Sequence, residues 1–402
     1  MADNNENKVL NVPHLRFPKF NGEWEKKRIS EFCTLLKGTG ISKDQLSTNG
    51  NPCILYGELY TKYKAEIINE VLSCTELDAN TLVKSKVNDV IIPCSGETAI
   101  DIATARCVPF DDVLLGSDLN VLRSNKINGS FLAYQLNGKR KYDIARVAQG
   151  VSVVHLYGEH LKNIVISIPV IEEQQKISRL LHLLDERIAT QNKIIDKLKS
   201  LIKGLINDII TLECGLLVTF ETLYSKAGEG GTPTTSNMEF YDNGNIPFIK
   251  IEDLNNKYLL TNKDYITELG LKKSSAWLIP TNSIIYSNGA TIGAISINKY
   301  PICTKQGILG IIPNSNIDVE YLYYFMRSSY FQKEVERIVT EGTMKTAYLK
   351  DINHIKCPIP DSDKQKEISH ALSTLSLKED AENQILKKYK IQKQYLLSQM
   401  FI

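Results

Sequence analysis

The chain has 402 residues, which at about 150 per domain is enough for two or three folded domains with real cores. Hydrophobic residues make up 43% and charged residues 23%, so the chain is neither a disordered tail nor a fibrous repeat. Forty-eight Lys and Arg face 46 Asp and Glu, and a net charge of +2 excludes coating nucleic acid through bulk charge; any such contact must be local.

Residues 1–12, MADNNENKVLNV, are polar and lack the apolar run of a secretory signal, which predicts a short mobile tail and a cytoplasmic protein. From 13 to 168, short runs of Ile, Val, Tyr and Thr alternate with Gly, Asn and Pro turns, the pattern of a mixed, β-rich globular domain. After Pro169 turn residues vanish, and 169–212 reads as a long helix with Glu172 and Glu173 suited to the positive end of its dipole. Residues 213–359 return to the β-rich pattern, and 360–402 form a second helix opening with Asp361 and Asp363. Apolar runs such as Ile164–Ile171 and Leu205–Ile210 are far short of the roughly 20 residues that span a bilayer. Eight cysteines contain no CxxC unit and read as reduced, mostly buried small hydrophobes.

The chain also repeats itself with a period of about 190 residues. Displaced by 191 positions, LKNIVISIP (161–169) falls on INHIKCPIP (352–360), Tyr157 on Tyr348, Gln174 on Gln365, and Ser178 on Ser369. Further on, Asn192, Ile194, Lys197 and Lys199 fall on Asn383, Ile385, Lys388 and Lys390. With small shifts, DVIIPCSGET (89–98) matches NSIIYSNGAT (282–291), NGNPCILYGEL (49–59) matches NGNIPFIKIEDL (243–254), and Gly150 matches Gly342.

Both helices carry a heptad seam. In the first it is Ile177, Leu181, Leu184, Ile188, Gln191, Ile195, Leu198, Ile202, Leu205 and Ile209; in the second, Ile368, Leu372, Leu375, Leu386, Tyr389, Leu396 and Met400, interrupted by Glu379, Glu382 and Lys393. Each helix could simply pack on its own globule, but their equivalent places in a repeat favour mutual pairing. The expected fold is therefore α+β: two similar mixed globular domains separated by two long antiparallel helices in a coiled coil, with a pseudo-twofold internal repeat. Thirty-two steps from Ile177 to Ile209, at about 1.5 Å each, give a rod of roughly 48 Å. That is comparable to duplex DNA, whose equivalent groove faces recur about every 34–36 Å. Segments between the matched anchors, such as YTKYKAEIINEVLSC and NKYLLTNKDYITELG, differ, so the two heads would read an asymmetric two-part sequence.

In these residues the chain resembles the specificity subunit of type I restriction and modification systems. The resemblance rests on LRFPKFNGEWEKKRISEF (15–32), the GGTP turn (230–233), IPFIKIEDL (246–254), IPVIEEQQKISRLLHLLDERI (168–188) and IPDSDKQKEISHAL (359–372), in that order over nearly the whole chain. One departure is Ser376, where the first helix has Asp185. The resemblance implies a non-catalytic subunit of two target recognition domains, each binding half of a split site in double-stranded DNA. Its helices would dock two methylation subunits, and restriction subunits would join the full complex. It further implies no cofactor on this chain: S-adenosylmethionine, ATP and Mg would sit on the partner subunits. The sequence accords by omission, with no phosphate-binding GxxxxGK[ST] loop, no NPPY- or DPPY-like tetrapeptide and no HExxH or paired-cysteine metal site; Asn51-Pro52 is followed by Cys53.

DNA contacts call for Lys, Arg and amides where the two halves diverge, because shared positions build the scaffold. In the first head these are Lys43, Tyr60, Lys62, Tyr63, Lys64 and Arg106; in the second, Lys250, Asn255, Lys272, Lys273, Asn288, Lys305 and Lys345. The opposing reading is an ordinary solvated face. AGEGGTP (227–233) could cradle phosphate, but a strained turn is the better reading because no lysine follows at the required spacing. The six histidines are scattered and read as surface or core residues. Exposed helix charges, among them Lys176, Arg179, Glu186, Arg187, Lys193 and Lys197, are candidates for partner docking. A competing reading makes the chain a coiled-coil assembly scaffold whose heads bind protein, and an enzyme in its own right comes third.

Overall fold

In a computed structural model, residues 10–150, 152–212, 216–339 and 345–402 are described. The chain forms two compact units, 1–192 with 384–402, and 193–383. Each long helix, Ile171–Leu212 and Ser362–Gln399, is thus divided between the two.

The first unit is built on an antiparallel sheet with strand order Thr34–Lys37, Leu119–Arg123, Asp89–Pro93, Arg106–Val108. Its strand Asp89–Pro93, a nearly continuous apolar run, is buried at every residue, as a strand covered on both faces must be. A smaller sheet orders Leu46–Ser47, Ser73–Thr75, Asn51–Ile54 and Leu114–Leu115, the last pair parallel. Strand Glu25–Arg28 pairs with Val165–Ile168 and so carries the chain into the first long helix. Trp24 meets Phe131 edge-on at 5.8 Å, and Phe401, the penultimate residue of the chain, lies 5.3 Å from Phe131. Residues 10–12 are tied to this core, since Trp24 N–H donates to Asn11 O at 2.8 Å.

The second unit repeats the plan. Its main sheet orders Tyr224–Glu229, Ile308–Pro313, Ile284–Ser287, Ile295–Asn298 and Tyr258–Leu259; its smaller sheet orders Asp264–Ile266, Ile246–Ile249 and Cys303–Thr304. The parallel pair recurs, with Phe248 opposite Cys303 as Cys53 is opposite Leu114. Strand Leu216–Thr219 pairs with Lys356–Ile359, matching the pair that leads into the first helix. The ladder shifts one sequence match by a residue. Ile284 pairs with Ile297 as Val90 pairs with Cys107, and left-handed Asn88 (φ 78°) and Asn282 (φ 59°) precede the two strands. Asn88, and not Asp89, is therefore the counterpart of Asn282, because the backbone turn fixes the register where the side chains drifted.

The long helices bury the expected frame. In the first, Ile177, Leu181, Leu184, Gln191, Ile195, Leu198 and Ile202 are buried and Ile188 is half-buried. Near its end Ile206 is buried where Leu205 is only half so, and Ile209 has its side chain outside the described residues. In the second, Ile368, Leu372 and Met400 are buried, and Leu375, Leu386, Tyr389 and Leu396 are half-buried. Glu379, Glu382 and Lys393 are half-buried in the same frame, so they belong to the seam and do not break it. Within the first unit, Ile177 and Leu181 share a core with Met400 and Phe401; within the second, Ile202 and Ile206 share one with Ile368 and Leu372. In each unit the start of one long helix and the end of the other contribute to the same core.

Candidate nucleic-acid interface

In the first unit, Lys43 stands exposed on a single turn, Lys43–Gln45, and Lys64 is exposed with its Nζ 3.5 Å from Tyr60 O. Tyr60 is half-buried. Lys62 is exposed but donates to Glu58 Oε1 at 2.6 Å, so its charge is already matched. Two candidates are corrected. Tyr63 is buried, its hydroxyl accepts Leu72 N–H at 3.2 Å, and burial pushes its phenol up to about 12. Arg106 is buried too, donating from Nη2 to Tyr63 O at 2.9 Å and from Nη1 to Ala105 O at 3.1 Å. Both sit in strand or helix-exit positions whose side chains point inward, a choice that residue type alone does not reveal.

In the second unit, Lys272, Lys273, Lys305, Lys345 and Asn255 are exposed. Lys272 and Lys273 end the short helix Glu268–Lys272, where cations suit the last carbonyls. Lys250 pairs with Asp264 at 2.9 Å, which holds its amine above the ordinary lysine range. Asn288 is corrected: it is fully buried, donates from its side-chain amide to Ala347 O at 3.2 Å and accepts Ala347 N–H on its backbone oxygen at 2.9 Å. It fastens the exit of strand Ile284–Ser287 and is no reader of bases. Gly342, the anchor beside Lys345, lies outside the described residues.

The GGTP turn is a packing device. A Cβ on Gly230 would stand 2.1 Å from Thr304 O, and one on Gly231 2.3 Å from Ala276 N, so backbone lies on backbone and no phosphate cradle remains. Neither glycine has a left-handed backbone, so close approach and not strain selects them.

Sequence reasoning missed two features. A polar cleft of about 560 Å³ in the first unit is lined by Ser30, Glu31, Lys86, Arg123, Asn125 and Lys126. A neighbouring cleft shares Lys86 and Arg123 and adds Lys84, Asp111 and Asp112. Arg123 is held there by Asp89 at 2.7 Å and by Lys84 O at 2.8 Å. These residues come from four separated segments that only the fold unites. The second feature is a matched pair, Tyr157 and Tyr348, which cap equivalent short helices yet stay 54% and 45% exposed. Tyr157 stacks with His155 at 6.2 Å, and Lys350 lies over the Tyr348 ring at 5.6 Å. An exposed aromatic beside a cation or imidazole can bear on a base or sugar. Their signal was in the repeat: a large aromatic kept at one position in both halves without being buried.

Among the described residues no cluster of His, Cys, Asp and Glu could hold a metal ion, and no helix is long and apolar enough to cross a membrane. The described cysteines are unpaired; burial pushes the Cys33 thiol up to about 12 and that of Cys107 to about 11, which makes them inert, while Cys214 lies outside the described residues.

Comparison with known proteins bears on both units. The family described as "Type I restriction modification DNA specificity domain" matches residues 21–200 and again 225–390. A type I restriction enzyme MjaIX specificity subunit from Methanocaldococcus jannaschii is 30% identical over 165 residues, 40% of this chain and 38% of its own length. The chain therefore spans well under half of that relative in the match. The MjaVIII specificity subunit of the same organism is 23% identical over 390 residues, 90% of this chain and 87% of its own. A crystal structure of a type I restriction-modification S subunit from M. genitalium has the same fold, with a TM-score of 0.60 at 16% identity, covering 97% of this chain and 99% of that one. With the family's domain matched once on each half of an internal repeat, the chain belongs to the type I restriction-modification DNA specificity family.

Proposed function

We propose that the chain is the non-catalytic sequence-specificity component of a type I restriction-modification complex, each head reading one half of an asymmetric, two-part site in double-stranded DNA. The observation that carries this reading is the double match to a DNA specificity domain on two heads that share a ladder while their connecting segments diverge. A shared scaffold with unlike loops is what two readers of different half-sites require. Exposed Lys43 and Lys64 on one head, and Lys272, Lys273, Lys305 and Lys345 on the other, supply phosphate contacts. The long helices set the separation of the half-sites and offer their outer faces, with Arg179, Glu186 and Arg187 exposed, to two methylation subunits; restriction subunits complete the assembly. S-adenosylmethionine, ATP and Mg act on those partners and not on this chain.

Mapping of methylated adenines across the genome, with and without this gene, tests the reading. A single bipartite motif that loses its methylation when the gene is deleted supports it, and an unchanged methylation map refutes it.

A further inference from the structure

The two halves of the repeat place opposite charges at one position, buried in the first as Glu66 and half-buried in the second as Lys257. In the first unit Cys107 N–H donates to Glu66 O at 2.7 Å, and in the second Ile297 N–H donates to Lys257 O at 2.7 Å, so Glu66 and Lys257 are structural counterparts. Tyr134 and Tyr324 correspond likewise, each on a helix whose first turn is capped by Asn128 or Asp318.

Around Glu66 the charges are balanced from the far end of the chain. Lys393, on the second long helix, pairs with Glu66 and, at 2.6 Å, with Asp185, which also accepts the Tyr134 hydroxyl at 2.8 Å. Around Lys257 the balance is local: its Nζ donates to Glu320 at 2.8 Å, to Tyr324 OH at 3.0 Å and to Ser373 at 2.7 Å. Where the first helix has Asp185, the second has Ser376, 3.0 Å from Tyr324 OH. Where the second helix brings Lys393, the matching position of the first is Ile202, buried in the core of the second unit. Three substitutions thus go together: Glu66 to Lys257, Asp185 to Ser376, Lys393 to Ile202.

We infer that this node is an address that makes the halves of the repeat pair only with their unlike partner. Two second halves brought together would set Lys393 against Lys257, cation on cation. Two first halves would offer Ile202 to Glu66 and Asp185, leaving two buried carboxylates without their ion-paired lysine and with Arg106 as the neighbouring cation. Apolar seams alone cannot make that distinction, because both helices repeat the same frame; a repulsive or unpaired buried charge can.

The test starts from the folded full chain with a protease site inserted between Leu212 and Leu216, in two preparations that carry different tags at both the N- and the C-terminus. After cleavage the preparations are mixed under mildly destabilising conditions that let the halves exchange, and pairs holding both N-terminal tags, or both C-terminal tags, are captured. With the native node, like-with-like pairs stay below about one-tenth of the total. Lys393→Met, which removes the cation–cation clash between second halves together with the native pairs to Glu66 and Asp185, raises capture of paired second halves at least tenfold. In Glu66→Lys/Ser130→Glu/Asp185→Ser/Lys393→Ile, which also gives the first half the acid that balances Lys257 in the second, like pairs approach the random one-half. Random pairing of the native halves overturns the inference whatever the variants do, and so does unchanged selectivity in folded Lys393→Met.

Discussion

Gln174 Oε1 accepts the backbone N–H of Asn128 at 2.9 Å while its Nε2 donates to Pro169 O at 2.8 Å. The second unit repeats the clasp with Gln365, which takes Asp318 N–H at 2.8 Å and gives to Pro360 O at 2.9 Å. Each glutamine fastens the start of a long helix to the residue that caps the head's buried helix, Asn128 for Phe131 N–H and Asp318 for Tyr321 N–H. Gln174→Ala leaves a buried donor and acceptor unmet and should cost about 1–3 kcal/mol of stability, read from the denaturant midpoint. Gln174→Glu, which keeps the acceptor but loses the donor, should also destabilise; a neutral result for both would mean that the clasp does not hold the helix.

Arg106 and Lys64 separate a structural cation from a surface one. Removing Arg106 orphans Tyr63 O and deprives Glu66 and Asp185 of a neighbouring positive charge, so Arg106→Ala should lower the melting temperature of the first unit, with a loss of about 1–3 kcal/mol. Lys64→Ala should stay within about 0.5 kcal/mol in stability and reduce the salt slope of DNA binding by about one. Reversed outcomes would return Arg106 to the DNA surface.

Burial first, and the neighbouring Glu66 next, push the Asp185 carboxyl up to about 6, against the pull of Lys393 and the Tyr134 hydroxyl. The folded state therefore holds a proton that the unfolded chain has lost, and stability from this group is present at low pH and declines as pH rises through about 6. Glu66 moves the other way: burial raises it, but Lys393, Arg106 and a hydrogen bond from Asp185 together outweigh burial and hold it below the ordinary carboxylate value, so its contribution is lost as pH falls. Between pH 4 and 7 the stability of Asp185→Asn relative to the native chain should climb, by on the order of 2–3 kcal/mol, in urea titrations at stepped pH. A flat difference would show that Asp185 titrates as an ordinary surface acid.

Gly231→Ala should destabilise the second unit by more than ordinary helix or loop substitutions do, because its Cβ would meet backbone at Ala276 N and cannot be relieved by a side-chain rotation. Calorimetry should show the loss in the second unit's transition, while Gly204→Ala, with open space around it, should be neutral or stabilising.

Much of this architecture could be read from the chain because it is written twice. Periodicity gave both long helices, and the seam from Ile177 to Ile202 is buried as spaced except at half-buried Ile188, since a heptad frame needs no knowledge of tertiary neighbours. Polar Lys393 looked like an interruption because its partners, Glu66 and Asp185, are remote in sequence. Surface and core polar side chains are alike in composition, so residue type marks Arg106 and Asn288 as readers while the fold buries both. The cleft around Lys86 and Arg123 was invisible for the same reason, being assembled by a sheet from segments that carry no joint motif. Divergence between halves marks where readers can lie; it does not say which side chains face outward.

The central claim is a division of labour, one head for each half of the recognised sequence. Exchanging residues 13–168 for the matching head of a family member with a different specificity, then mapping the methylated motif, tests it most directly. The account predicts that one half of the motif changes while the other half and the gap between them stay; a motif altered in both halves, or in neither, would contradict it.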